Sequence, residues 1–247
     1  MSAKSKKLIT AAVILAVVVS VVSGIMVYLC DYYPADDYVQ QTMVNNLYAS
    51  VVEYSDGVIA FEPESEPECG LIFYPGGKVE YTAYSPLMQL LAGEGVLCLL
   101  VEMPFNLAVF DSNAAYGLQA RYPNVGSWYI GGHSLGGAMA ASYASSHTDE
   151  LGGLILLAAY STADLSGTSL NVISIYGSED GVLDRDKYEE CKSNLPDNFS
   201  EYIIEGGCHA GFGMYGEQQG DGEPTIDSGT QMSLAADFIC ENIMGGK

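Results

Sequence analysis

Positive charge is what this sequence has least of: nine Lys and Arg stand against thirty-one Asp and Glu. The few cations are also unevenly placed, because Lys4, Lys6 and Lys7 precede the first acid, Asp31. From Asp31 onward six basic residues face all thirty-one acids, a net charge of −25. Such a surface repels phosphate backbones and anionic lipid headgroups, which argues against a nucleic-acid partner. Its simplest consequence is solubility outside the cell. Histidine is scarce too: chemistry that needs an imidazole base has only His133, His147 and His209 to draw on. Six cysteines are too few for a disulfide framework in 247 residues. Cys30 and Cys98 fall in apolar runs, while one or two pairs among Cys69, Cys191, Cys208 and Cys240 stay open. There is no long linker, internal repeat or low-complexity tract, so one domain of ordinary size is expected behind an N-terminal segment.

That segment is the longest stretch without charge. Leu8 to Cys30 holds twenty-three uncharged residues between the three lysines and Asp31, Asp36 and Asp37. At about 1.5 Å per residue it spans the ~30 Å hydrocarbon core of a bilayer. Secretory signal peptides have shorter apolar cores and a small-x-small cleavage site, which Val18–Ser20 and Val21–Ser23 supply poorly. Cys30 sits where a lipoprotein cysteine would, but Leu29 replaces the small residue needed before it. An uncleaved signal anchor is therefore expected, with secretion after cleavage near Gly24 as the alternative. The lysines place the N-terminus in the cytoplasm and the rest outside. The expected organisation is a basic N-terminus at 1–7, a membrane helix at 8–30, an acidic stalk at 31–47 and a single domain at 48–247.

Within that domain the most telling stretch is Gly132-His133-Ser134-Leu135-Gly136, preceded by the apolar Trp128-Tyr129-Ile130 and followed by the small residues Ala138 to Ala144. It fits the G-x-S-x-G pattern, in which a serine occupies the tip of a sharp strand-to-helix turn. The requirement is steric, since the strained backbone leaves no room for bulk two residues either side. A helix beginning behind Ser134 also aims backbone N–H groups at any negative charge developing there.

The remaining apolar runs come in a readable order. Ala49–Tyr54 and Val58–Glu62, around Ser55-Asp56-Gly57, predict an antiparallel hairpin. Strands are expected at Gly70–Tyr74, Val96–Val101, Trp128–Ile130, Gly153–Ala158, Val172–Tyr176 and Tyr202–Ile204. Helices are expected at Tyr84–Ala92, Asp111–Arg121, Arg185–Ser193 and Ser228–Met244. A hairpin followed by strand–helix alternation predicts an α/β class with a mainly parallel, twisted sheet and helices on both faces.

Four segments in this order carry a family likeness: Phe73-Tyr74-Pro75-Gly76-Gly77, the turn from Gly132 to Gly137, Tyr176-Gly177-Ser178-Glu179-Asp180, and Gly206-Gly207-Cys208-His209-Ala210-Gly211. Over residues 48–247 the chain resembles the α/β-hydrolase superfamily, in particular its compact, lid-less bacterial branch (α/β hydrolase family 5, with dienelactone-hydrolase-like relatives). The resemblance implies hydrolysis of an ester-type bond, without cofactor, through a catalytic triad.

The triad members follow from the residues. A serine hydroxyl needs a general base, and that base needs a third group to fix its tautomer. His133 adjoins Ser134 and should point away from it; His147 belongs to the end of the following helix. His209, in a glycine-flanked loop after the last strand, is the candidate base. In this fold the acid lies between nucleophile and base in chain order. Asp180 is the choice, Glu179 its competitor and Asp164 a weaker one. For the oxyanion the resemblance implies the N–H of Leu135 and one from the Pro75-Gly76-Gly77-Lys78 loop, Gly77 first and Gly76 as the alternative. Pro75 stands where the family has a histidine. Only thirteen residues separate Ala158 from Val172, too few for a lid, so a small acyl substrate in an open pocket is expected. Phe105, Phe212 and Tyr215 are candidates for its wall. The loop Tyr215–Pro224, with Asp221-Gly222-Glu223, matches no calcium-loop spacing, and no metal is expected. The other reading is a membrane-anchored binding module that kept the fold and lost turnover.

Overall fold

The computed structural model describes residues 3–37, 39 and 49–245. It divides into two units, one ending at Tyr32 and one beginning at Tyr33. The first is a single helix, α1 (Ala3–Cys30), whose large apolar side chains from Ile9 to Tyr28 are exposed. Its stretch Ser5–Cys30 is long and apolar enough to cross a bilayer, as a signal sequence also is.

The second unit is built on one eight-stranded sheet: β1 (Ser50–Glu53), β2 (Val58–Glu62), β3 (Cys69–Tyr74), β4 (Val96–Val101), β5 (Trp128–His133), β6 (Gly153–Leu157), β7 (Asn171–Gly177) and β8 (Ser200–Ile204). Their spatial order is β1-β2-β4-β3-β5-β6-β7-β8. The β1–β2 and β2–β4 pairs are antiparallel and all others parallel. Among the described residues four longer α-helices accompany the sheet: α2 (Ser85–Gly93), α3 (Leu135–Ser146), α4 (Arg185–Cys191) and α5 (Ser228–Ile243).

Continuous apolar strands mean a sheet covered on both faces, because successive side chains point to opposite sides. β4 shows it residue by residue. Val96, Cys98 and Leu100 join Leu87, Leu91, Met232 and Ile239 of α2 and α5 in one core. Leu97, Leu99 and Val101 join Ala140, Ala141 and Ala144 of α3 in the other. The small residues of α3 let it lie close against the sheet.

One expected helix is absent. Asp111–Arg121 forms turns, with 3-10 segments at Ala108–Phe110 and Leu118–Arg121 and a left-handed Gly117 (φ 77°) between them. The cause lies 37 residues or more upstream in β3. The Tyr74 hydroxyl donates to the Ser112 carbonyl (3.0 Å) and accepts the Ala115 N–H (2.8 Å), so groups a helix would have paired are paired elsewhere. The stretch expected as an acidic stalk includes residues 38 and 40–47, outside the described residues, but Tyr33 to Asp36 lie on the domain. The Tyr33 N–H donates to the Lys78 carbonyl (2.7 Å), the Glu80 N–H to the Tyr33 carbonyl (2.9 Å) and the Asp36 N–H to the Met214 carbonyl (2.8 Å). All six cysteines are free thiols, including Cys69, Cys191, Cys208 and Cys240.

Candidate active site

The turn after β5 is where the fold spends its glycines. Ser134 has φ 52° and ψ −120°, a conformation that costs a β-carbon residue free energy and persists only where its surroundings enforce it. The enforcement is visible. A Cβ on Gly132 would lie 2.5 Å from the Gly136 backbone, and one on Gly136 would lie 2.2 Å from the Pro75 carbonyl oxygen. The Ser134 N–H is held by the Leu157 carbonyl (2.9 Å) at the end of β6, beside the central strand. Ser134 thus ends β5 and starts α3, in a cleft of about 410 Å³ lined by Leu135, Met139, Ala159, Tyr160, Leu183 and His209.

His209 follows β8 and is almost fully buried. Its Nδ1 lies 2.8 Å from Asp180 Oδ2. The other oxygen, Oδ1, accepts the N–H groups of Val182 (2.9 Å) and Leu183 (2.8 Å), so the carboxylate is held at three points. An ionised carboxylate only accepts, which makes Nδ1 the protonated nitrogen and leaves Nε2 a bare acceptor. Nε2 is buried and without a hydrogen-bond partner among the described residues. A bare imidazole nitrogen on a residue that lines the same cleft as a strained serine has the chemistry of a proton acceptor. The competing acids lie elsewhere: Glu179 is exposed and takes the Ser178 hydroxyl (3.0 Å), and Asp164 is exposed and takes the Ser166 N–H and hydroxyl.

Across the cleft the Gly76 N–H donates to the Tyr84 hydroxyl (3.0 Å) and is therefore occupied. Gly77 and Leu135 are different. Their N–H groups donate to no acceptor among the described residues, and a Cβ on Gly77 would lie 2.9 Å from Leu135 Cδ2. The structure thus brings Ser134, Leu135, Gly77, His209 and Asp180 together and gives Gly76 a structural bond. Phe212 and Tyr215 are buried in the core, and Phe105 is exposed; none lines this cleft.

Three further residues brace the site. The buried Tyr84 hydroxyl, which accepts from Gly76, lies 2.8 Å from His133 Nδ1 and has that nitrogen as acceptor for its own proton. The His133 ring packs 4.5 Å from the His209 ring, centre to centre, so it faces away from the cleft and supports the base from beneath. Burial holds His133 well below the ordinary imidazole value, and the neighbouring His209 adds to this, so it stays neutral. The third is Asp221, whose carboxylate accepts N–H bonds from Gly181 (3.1 Å), His209 (3.0 Å), Ala210 (2.8 Å) and Gly222 (2.9 Å). Burial pushes its pKa up, but the four donors outweigh that and hold it below the usual aspartate value. Asp221 ties the loop carrying Asp180 to the loop carrying His209. The aspartate–glycine pair at 221–222 was the only trace of this in the sequence, and local pattern cannot say which loop it joins. His147 is a helix-end residue, stacked 3.9 Å from Tyr143.

Other chemistry is poorly served. Burial pushes the Cys208 thiol, beside His209, up to about 11, and the Asp221 charge adds to it, so it stays protonated at neutral pH. Among the described residues no group of three or more His, Cys, Asp or Glu forms a metal-ligand set. A larger cavity, about 520 Å³, lies behind the His209 loop among Asp36, Glu217, Asp221 and Glu223, and neither Ser134 nor His209 lines it.

The same fold recurs in known proteins. A membrane phospholipase A, described as a bacterial virulence factor, superposes with a TM-score of 0.60 at 14% identity, over 96% of this chain and 99% of its own. Est1E from Butyrivibrio proteoclasticus gives 0.57 at 14% identity, over 79% and 99%. A predicted CIB-like hydrolase from Thermoplasma acidophilum gives 0.53 at 14% identity, over 78% and 97%. At that identity these likenesses establish the fold. No curated protein matches the chain by sequence. Residues 70–233, from β3 through the glycine turn and the Asp180 and His209 loops into α5, match the profile of the alpha/beta hydrolase family. The chain is a member of that family, and with these neighbours it stands as a hydrolase.

Proposed function

We propose that this protein is a serine hydrolase that cleaves an ester-type bond of a small acyl substrate through a covalent acyl-enzyme. The observation that carries the reading is the buried Asp180–His209 pair, which leaves Nε2 bare on a residue that lines the cleft holding Ser134. In this mechanism Ser134 Oγ attacks the acyl carbon while His209 Nε2 takes its proton. Asp180 keeps the Nδ1–H tautomer and stabilises the imidazolium that forms. Charge developing on the carbonyl oxygen is met by the N–H groups of Leu135 and Gly77. His209 returns the proton to the leaving oxygen as the C–O bond breaks. Water, deprotonated by the same nitrogen, then releases the acid and restores Ser134. The similarity to a membrane phospholipase A supports an ester as the bond cleaved.

A fluorophosphonate probe tests this, because only an activated serine reacts with it. Stoichiometric labelling that Ser134→Ala abolishes is expected. No labelling of the folded chain would assign it to the other class, a binding module that kept the fold.

We further propose that α1 is an uncleaved anchor with the hydrolase unit outside the cytoplasm, supported by three lysines before an uncharged span. Protease added to intact cells, or to spheroplasts where an outer membrane is present, should remove the domain. A protected domain, or a mature N-terminus near Gly24 or Cys30, overturns the anchor.

A further inference from the structure

Apolar side chains exposed on the hydrolase unit are not scattered. Among its described residues five large ones are exposed, and four of them, Phe105 (51%), Val109 (49%), Phe110 (56%) and Tyr116 (75%), fall within twelve residues. The fifth, Ile203, is on β8 at the far edge of the sheet. The last of the four, Tyr116, falls in the stretch Asp111–Arg121, where a helix was expected and turns are found. Phe105 and Asn106 both have positive φ (55° and 54°), and the Phe105 and Phe110 rings meet edge to face at 5.8 Å. The patch is therefore a built cluster. It also adjoins the cleft: Leu107 faces Gly77, and the Ala108–Phe110 turn rests on α3 behind Ser134.

Its place in the chain says what covers it. The Lys78 N–H donates to the Asn106 carbonyl (2.7 Å), and the Tyr33 N–H donates to the Lys78 carbonyl (2.7 Å). Three segments thus run side by side, and two hydrogen-bonded spacings carry the backbone from Tyr33 to Asn106 in about 10 Å. Two residues of chain, three Cα–Cα steps of at most about 11 Å in all, separate Tyr33 from Cys30 at the end of α1. Resting on the reading of α1 as an anchor, we propose that Phe105, Val109, Phe110 and Tyr116 form a docking surface for the outer leaflet of the bilayer that α1 crosses, and that the substrate ester is taken from that lipid–water interface. Aromatic side chains favour that interface. A second copy of the chain is a poorer occupant. Four half-exposed side chains offer roughly 400 Å², about half of the ~800 Å² per partner that a stable dimer buries. The net charge of −25 beyond residue 30 restricts the surface to lipids of little net charge.

The test uses the full chain in phosphatidylcholine vesicles with brominated acyl chains, which quench a tryptophan that reaches them. The native Trp128 is buried and gives the background. Phe110→Trp should be quenched at least twofold more than Ile203→Trp, and adding anionic lipid at low salt should reduce the difference. Equal or absent quenching in a chain that floats with the vesicles overturns the docking surface, and dimers held through residue 110 would give it to a second copy instead. A chain that does not float overturns the anchor and this inference with it. In a second arm, the double variant Phe105→Ser with Phe110→Ser should lose about tenfold in rate on a vesicle-borne ester and keep its kcat/KM on p-nitrophenyl acetate. Equal losses on both substrates would place these rings in the fold and overturn docking. A protein that proves to be no hydrolase removes the second arm only, because the quenching needs no turnover.

Discussion

Two walls flank Ser134, one lining the cleft and one beside it against Leu135, and they are held in opposite ways. On the Asp180–His209 side both carboxylates are tied down and one imidazole nitrogen is left free. Asp180 accepts three bonds and Asp221 four, and the free atom is His209 Nε2. On the Gly77–Phe105 side Lys78, Phe105 and Asn106 all have positive φ, and large apolar side chains face solvent. One wall is rigid where a proton must be handed over along a fixed line. The other leaves two N–H groups and an apolar rim available to something not of this chain. The contrast makes the first wall the place where substitutions act on chemistry and the second where they act on access.

The sharpest test of that contrast is the proton-transfer line itself. Ser134→Ala and His209→Ala should each lower kcat by about 10⁴- to 10⁶-fold, and the double variant should be little worse than either, because the pair acts as a unit. Asp180→Asn should cost up to about 10⁴-fold through the wrong His209 tautomer. Glu179→Gln should stay within about twofold, since its side chain is exposed. A crippling Glu179→Gln beside a nearly silent Asp180→Asn would move the acid.

Next in size is Asp221, which separates holding the wall from doing chemistry. Asp221→Ala leaves four N–H donors without their acceptor and should cost about 2–3 kcal/mol, a fall in Tm of roughly 4–12 °C. Its pH signature has a definite sign. The folded pKa lies below the ordinary aspartate value, so the contribution is complete above that ordinary value and is lost as pH falls through the lower, folded one. Acid unfolding below about pH 4 should therefore be less steep in Asp221→Asn than in the parent. An unchanged acid limb would mean that other carboxylates control it.

These expectations also mark how far the sequence could be read. The turn at Ser134 was legible because its steric demand is local: Gly132 and Gly136 sit two residues either side of the point that needs them. His209 was legible by scarcity, and Asp180 by chain order between Ser134 and His209. The sheet was legible because runs such as Val96–Val101 have no polar face to show. What could not be read was contact at a distance. Nothing near Asp111 announces that Tyr74 will take the Ala115 N–H, and nothing near Asp221 announces four donors from two other loops. His133 was placed correctly as pointing away from the serine, but its partners Tyr84 and His209 lie 49 and 76 residues from it in sequence, beyond any local pattern.

Tyr84 links the two walls, and its effect should be intermediate. Tyr84→Phe keeps the ring but removes the acceptor of the Gly76 N–H and the donor to His133 Nδ1. The loop carrying Gly77 is then free to drift, and displacement of about 1 Å costs up to about 10²-fold. A fall in kcat of roughly 10- to 100-fold with KM within about threefold is expected. If KM rises and kcat holds, the loop serves binding, and Gly77 loses its assignment as an oxyanion donor.

The smallest effect is expected on the exposed wall, at Phe105. Its left-handed backbone costs a residue with a β-carbon about 1–2 kcal/mol, which Phe105→Gly removes. Glycine in turn loses about 0.5–1 kcal/mol through the greater freedom of its unfolded chain. Half of the Phe105 surface already faces solvent, so little burial is forfeited. The net change should be a stabilisation of at most about 1 kcal/mol, a rise in Tm of no more than about 4 °C. Calorimetry on the full chain in detergent reads this, because unfolding of the hydrolase unit dominates the heat. A fall of more than about 4 °C would show that the ring is part of the core. The exposed wall would then be as firmly built as the buried one, and the difference between them would lie only in what they bind.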